Sequence, residues 1–230
     1  GGTAPPRGAR GGGGRCGGEV AGDFRGALRR IRRKEGGGPG EPVRAGCLAA
    51  RRPPAVGNRH RLLIFGGSQG SRLLNDAMIG ALLFLSRLKD RLDIVHQTGP
   101  NELQKVQQAY KTSGAFPNAR VVPYLDPIVD EIVAADLVVS RAGAMTIGEL
   151  AAIGRPAIFV PFAAATNNHQ ELNARVVEPA GGGIGITEKE LPPERLGMAS
   201  EQIIHEPERA SRVGEAARRL ATPDASKKIV

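Results

Sequence analysis

Between Arg61 and Ser71 the chain reads Arg-Leu-Leu-Ile-Phe-Gly-Gly-Ser-Gln-Gly-Ser, an apolar run cut short by glycines and followed at once by an amphipathic stretch. That order describes a strand, a tight turn and a helix, the repeating unit of an α/β fold. Gly66, Gly67 and Gly70 let the backbone bend sharply and come close to a ligand. The open amides of the helix that follows, at the positive end of its dipole, favour an anion. A nucleotide diphosphate is the natural guest of such a loop, although glycines also occur in strand-to-helix turns that bind nothing.

From Arg61 onward the alternation continues. Strands are expected at Leu62–Phe65, Asp93–Gln97, Arg120–Val122, Leu137–Ser140, Ala157–Val160 and Ile184–Ile186. Helices are expected at Ser71–Ser86, Asn101–Lys111, Ile128–Ala134, Ala144–Ile153, Gln170–Glu178, Pro192–Ile204 and Pro207–Leu220. Pro192 and Pro207 fall near helix starts, where a missing amide costs little. The pattern predicts a Rossmann-like parallel sheet with helices on both faces, occupying residues 61–230. Ligands of such sheets bind beyond the carboxyl ends of the strands, so the residues after each strand form one candidate site.

The remainder has a different composition. Of 32 Lys and Arg and 23 Asp and Glu in the chain, residues 1–60 hold 13 and 4, so the entire net charge of +9 resides there. Residues 1–40 are a Gly/Arg-rich, low-complexity leader expected to be disordered, and 41–60 read as a linker. A basic excess of this kind normally points to nucleic acid or an anionic membrane, but here it does not belong to a folded surface. A nucleic-acid partner is therefore not expected. Cys16 and Cys47 are too few for a disulfide framework or a zinc cluster. The apolar stretches are too short for a membrane span.

Two further segments carry chemistry. Ser140-Arg141-Ala142-Gly143-Ala144-Met145-Thr146-Ile147-Gly148-Glu149 places small residues at a second helix start, and two such openings can grip one diphosphate. Glu149 can accept hydrogen bonds from a ribose diol or simply lie on a solvated face. Thr166-Asn167-Asn168-His169-Gln170-Glu171-Leu172-Asn173 gathers amides, whose donors and acceptors suit sugar hydroxyls. His169 and His96 read as structural rather than catalytic residues, with His96 half-buried at a strand end. The glycine spacing is not that of a dinucleotide loop, and the second strand ends His96-Gln97-Thr98-Gly99 without an acid. Neither a Gly-Lys-Ser/Thr loop nor an Asp-x-Asp pair is present, so a nucleotide-sugar site needing no metal and no cofactor fits best.

Taken together, Gly66–Arg72, His96–Gly99, Ser140–Glu149 and Asn168–Ala174 resemble, in order and spacing, the C-terminal donor-binding half of the MurG family of bacterial glycosyltransferases. The resemblance runs from Arg61 to Val230. It implies the C-terminal half of a B-type glycosyltransferase fold and an inverting, metal-free transfer of N-acetylglucosamine from its UDP derivative. The acceptor in the family is lipid-linked muramyl pentapeptide, met at the cytoplasmic face of the inner membrane by peripheral contact. Carried over, Gly67, Ser68, Gln69 and Gly70 hold the diphosphate, and the Leu125 backbone recognises uracil. Ala144, Met145, Thr146, Ile147, Gly148 and Glu149 line the nucleotide, with Glu149 on the ribose. Gln170 and Asn173 bind the sugar.

Arg44, in Glu41-Pro42-Val43-Arg44, resembles the arginine of an Asn-Pro-Val-Arg motif near the diphosphate, with Glu41 in place of the asparagine. Nothing before Arg44 resembles the family's acceptor domain, which holds its general base. The leader is thus expected to be foreign sequence, as from a shifted reading frame, and this chain to bind donor without completing transfer. Two rival readings are a UDP-N-acetylglucosamine epimerase and a non-catalytic nucleotide- or RNA-binding module. The first needs acidic and basic side chains near the sugar, where Pro161–Gln170 offers mostly Ala, Thr and Asn.

Overall fold

The computed structural model describes residues 59–163 and 169–221. The leader, most of the linker with Arg44, the Thr166–Asn168 amides and the C-terminal tail lie outside the described residues. Six strands form one sheet: β1 (His60–Phe65), β2 (Leu92–Gln97), β3 (Arg120–Val122), β4 (Leu137–Ser140), β5 (Ala157–Phe159) and β6 (Ile184–Gly185). All neighbours pair in parallel, in the order β3-β2-β1-β4-β5-β6. Among the described residues seven α-helices cover it: α1 (Arg72–Leu85), α2 (Leu103–Ser113), α3 (Ile128–Ala134), α4 (Ala144–Ile153), α5 (His169–Val177), α6 (Pro193–His205) and α7 (Pro207–Leu220).

Alternation along the central strand builds two cores. Leu62 and Ile64 of β1 face a cluster with Leu74, Met78 and Leu82 of α1, Val106 of α2 and Leu196 of α6. Leu63 and Phe65 face the opposite cluster, with Ile132 of α3, Ile147 and Leu150 of α4, Val177 of α5 and Leu220 of α7. Successive residues of a strand point to opposite faces, so a strand covered on both sides must be apolar throughout. Full burial of Leu62, Leu63 and Ile64 is worth about 2 kcal/mol each.

The elements agree with the sequence reading to within two residues at every end, and the differences have local causes. β1 starts at His60, inside the expected linker, because His60 already pairs with Leu92. Ser71 and Pro192 sit one step outside their helices as N-cap residues. A separate 3-10 turn over Pro100–Glu102 delays α2 to Leu103.

The topology also fixes where a ligand can enter. β1 leads through α1 to β2 on one side, while β4 leads through α4 to β5 on the other. The chain therefore diverges at the paired carboxyl ends of β1 and β4, where Phe65 lies opposite Ser140. Open α/β sheets form their crevice at that switch point.

Candidate functional site

Beyond Phe65 the glycine turn closes on itself, with the Gly70 amide donating to the Gly67 carbonyl at 2.9 Å. Gly70 has φ +74°, and a Cβ there would fall 2.0 Å from the Thr98 carbonyl oxygen, so only glycine fits. Ser71 then caps α1, its hydroxyl accepting from the Leu74 amide at 3.3 Å. Across the crevice α4 begins differently. Its N-cap is Gly143, with extended backbone and no capping side chain. The first amides of an α-helix have no partner within the helix, and here no side chain of the N-cap supplies one. Ahead of Gly143, the Asn173 Nδ2 donates to the Ala142 carbonyl at 2.8 Å and fixes the approach to the helix.

These two helix starts share a cavity of about 740 Å³, walled by Gly66, Gly67, Gly70, Ser71, Gly143 and Thr146, with Gln170 from α5. Arg72, Asp76, Arg141, Phe162 and Glu188 complete much of the wall. Arg141, at the end of β4, donates to the Val160 and Pro161 carbonyls at 3.2 and 3.3 Å and to Glu188 Oε1 at 2.7 Å. Its guanidinium also lies 5.2 Å from the Phe162 ring centroid. Asp76 is paired with Lys105, whose pKa is raised chiefly by that hydrogen bond. Asp76, Arg141 and Glu188 are thus paired, whereas the Arg72 side chain is 79% exposed and reaches Asp76 only at 4.0 Å, so the open binding capacity of the wall lies in helix amides and that guanidinium. Such an arrangement binds an anion by fixed dipoles.

Of the residues expected at the site, Gly67, Gly70, Thr146 and Gln170 line this cavity. Gln170 Oε1 accepts from the Phe162 amide at 3.0 Å, tying α5 to the segment after β5. Ser68 and Gln69 are exposed in the same turn. Met145 is exposed beside the wall, Gly148 is partly buried on α4, and Ala144, Ile147 and Glu149 are buried. Ile147 directs its side chain into the second core, as does Leu125. Asn173 is 1% exposed, and its Oδ1 has no hydrogen-bond partner among the described residues.

His96 departs from the expectation of a half-buried residue, because it is fully buried in a polar chain. Asn75 Nδ2 donates to the Thr98 carbonyl at 3.0 Å, which turns Asn75 Oδ1 toward His96 Nε2 at 3.1 Å. The imidazole therefore donates from Nε2, leaving Nδ1 to accept from the Tyr110 hydroxyl at 3.2 Å. Burial holds this imidazole neutral, its pKa pushed down to about 3, and pushes the Tyr110 hydroxyl up.

Arg141 and Phe162 fall among the residues after β4 and β5 that the sequence reading sets at the site, but without an assigned role, and sequence reasoning missed Glu188, Arg72 and Asp76 as wall residues. Arg141 stood within a quoted motif, but its partner Glu188 lies 47 residues away and carries no local signal.

A parallel sheet with two helix starts converging on a crevice at its switch point defines the class: a Rossmann-like domain of the B-type glycosyltransferase fold. The chain belongs to glycosyltransferase family 28, whose C-terminal domain matches residues 61–229. It is 40% identical over 191 residues to the UDP-N-acetylglucosamine--N-acetylmuramyl-(pentapeptide) pyrophosphoryl-undecaprenol N-acetylglucosamine transferase of Syntrophotalea carbinolica, covering 83% of this chain and 52% of that one. The crystal structure of Acinetobacter baumannii MurG superposes with a TM-score of 0.70 at 27% identity, over 80% of this chain and 53% of that one. The chain thus spans about half the length of the curated relatives it matches. The UDP-GlcNAc 2-epimerase of Neisseria meningitidis, solved with UDP-GlcNAc, shares the fold at a TM-score of 0.53 and 17% identity, over 76% of this chain and 44% of that one. The epimerase reading is not favoured, since the transferases are far nearer in sequence.

Proposed function

We propose that this chain provides the UDP-N-acetylglucosamine-binding half of a peptidoglycan glycosyltransferase that converts lipid-linked N-acetylmuramyl pentapeptide to its N-acetylglucosaminyl form. The observation that carries the reading is the convergence of the α1 and α4 starts on one cavity at the β1/β4 switch point. Two dipole ends suit the two phosphates of a nucleoside diphosphate. In this reading Gly67, Ser68, Gln69 and Gly70 cradle the diphosphate with the amides of Ala144, Met145 and Thr146. The Leu125 backbone reads uracil, while Ile147, Gly148 and Glu149 support the nucleotide and Glu149 serves the ribose. Gln170 and Asn173 meet the sugar, and Arg44 approaches the phosphates from the linker.

The reaction is an attack of an acceptor hydroxyl on the anomeric carbon, with inversion, as the bond to UDP breaks. Negative charge grows on the departing diphosphate, and preoriented amides stabilise it without reorganising. Binding of acceptor and removal of its proton fall to a separate acceptor domain, so residues 61–230 by themselves capture donor and do not complete transfer. The lipid-linked acceptor places the whole enzyme at the cytoplasmic face of the inner membrane by peripheral contact, and its product serves cell-wall growth, division and shape. Among the described residues, no helix is long and apolar enough to cross a membrane.

Calorimetric titration of the full chain with UDP-N-acetylglucosamine, UDP and a nicotinamide dinucleotide tests this. Saturable binding of both uridine nucleotides but not the dinucleotide is the expected result. Equal binding of all three, or of none by a folded sample, would overturn it.

A further inference from the structure

Gln97 ends β2 directly beside the last residue before the glycine turn, since the parallel register sets it opposite Phe65. It is 1% exposed, and its Nε2 donates to the Gly67 carbonyl at 2.7 Å. A trans peptide points its C=O and N–H in opposite directions. Drawing the Gly67 oxygen inward toward β2 therefore turns the Ser68 amide outward, on the side of the turn that Gly67 presents to the cavity. The peptide has little else to hold it. Gly67 has φ +91°, and beyond its chain neighbours nothing among the described residues lies within 4 Å of where a Cβ would sit. Without Gln97, only the Gly70 amide among the described residues holds that carbonyl, and the unit can rotate to place an oxygen where an amide now stands.

The rest of the motif braces the same turn. A Cβ on Gly99, at φ +79°, would fall 2.1 Å from the Gln69 carbonyl oxygen, so the two loops meet backbone to backbone. Thr98 is anchored by its amide to the Val122 carbonyl at 3.0 Å and, through its own carbonyl, to Asn75. His96-Gln97-Thr98-Gly99 thus acts as a jig against which the turn is set.

We propose that Gln97 is a positioning residue for the diphosphate: by fixing the orientation of the Gly67–Ser68 peptide it makes the turn a donor surface for phosphate. The inference rests on the uridine diphosphate reading of the cavity. It assigns Gln97 an effect on phosphate recognition and none on the nucleoside.

The test titrates the full chain and its Gln97→Leu variant with UDP and with uridine. Gln97→Met, which keeps the length and apolar packing of the side chain, serves if leucine prevents folding. The expected result is a loss of about tenfold in UDP affinity, the order set by one charge-assisted hydrogen bond, with uridine affinity unchanged. An unaltered ratio of UDP to uridine affinity, whether both fall together or neither moves, overturns the assignment while leaving the cavity reading intact. A wild-type chain that does not prefer UDP to uridine removes both. In the wild-type chain, independently of any variant, UDP should move the Ser68 amide proton downfield in the NMR spectrum. A resonance that stays in place contradicts the proposal.

Discussion

At the start of α1 the Leu74 amide is satisfied by the Ser71 hydroxyl, and the turn before it is wedged against Thr98 and Gly99. At the start of α4 the N-cap is Gly143, which brings no side chain, and among the described residues the nearest atom beyond its chain neighbours to where its Cβ would sit is the Thr146 hydroxyl oxygen at 3.8 Å. The first opening is built for shape and partly spends its donors internally. The second leaves its donors for whatever enters the cavity. A glycine-rich sequence alone does not distinguish these roles, because the glycines of the first turn are there for close backbone approach, whereas the glycine of the second withholds a cap. In the proposed reading, rigidity lies on the α1 side and anion capture chiefly on the α4 side.

Alanine at the two glycines should separate the sides most strongly. Gly70→Ala must relieve both a left-handed φ and a 2.0 Å approach, and is expected to cost about 2 to 4 kcal/mol in urea unfolding. Gly143→Ala, in extended backbone with open space, should stay within about 0.5 kcal/mol. Equal costs would erase the distinction.

Acid probes the α1 side next. His96 is held neutral in the folded chain, with its pKa pushed down to about 3 from 6.5. Below pH 6.5 the unfolded chain takes up a proton that the folded chain refuses, so stability falls as pH drops toward 3 and is flat, for this group, above 6.5. The slope is on the order of 1 kcal/mol per pH unit. A His96→Gln variant should show a shallower decline in thermal midpoint over that window, and an unchanged decline would show that other groups control it.

The caps give the finer comparison. Ser71→Ala should lower stability by about 1 kcal/mol, whereas Gly143→Ser should raise it by a few tenths. Chemical denaturation of both variants decides this, and the comparison fails if the signs agree.

Much of the fold was legible because β1, the glycine turn and α1 announce themselves through composition and periodicity. Ser71 was readable as the boundary of its helix, and the glycines after Phe65 as its turn. The wall of the cavity was less so. Residues of α4, Ala-Met-Thr-Ile-Gly-Glu-Leu-Ala-Ala-Ile, are apolar or small on nearly every side, so no stripe showed that Glu149 is buried while Met145 is exposed. Arg141 meets Glu188, and Gln97 meets Gly67, only after the sheet has ordered its strands. Such pairs follow from topology and leave no periodic trace. The polar chain through His96 was missed for a related reason: its partners Asn75 and Tyr110 come from two helices that pack on one face of β2.

Giving α4 the cap it lacks tests whether its start holds the diphosphate. Gly143→Asp fits the extended N-cap backbone and adds a carboxylate that accepts from the first amides of the helix. Calorimetric titration with UDP should then show affinity reduced by at least about tenfold, in a chain no less stable than the original. Undiminished UDP binding by the capped variant would contradict the account, because it would mean that the start of α4 does not hold the diphosphate.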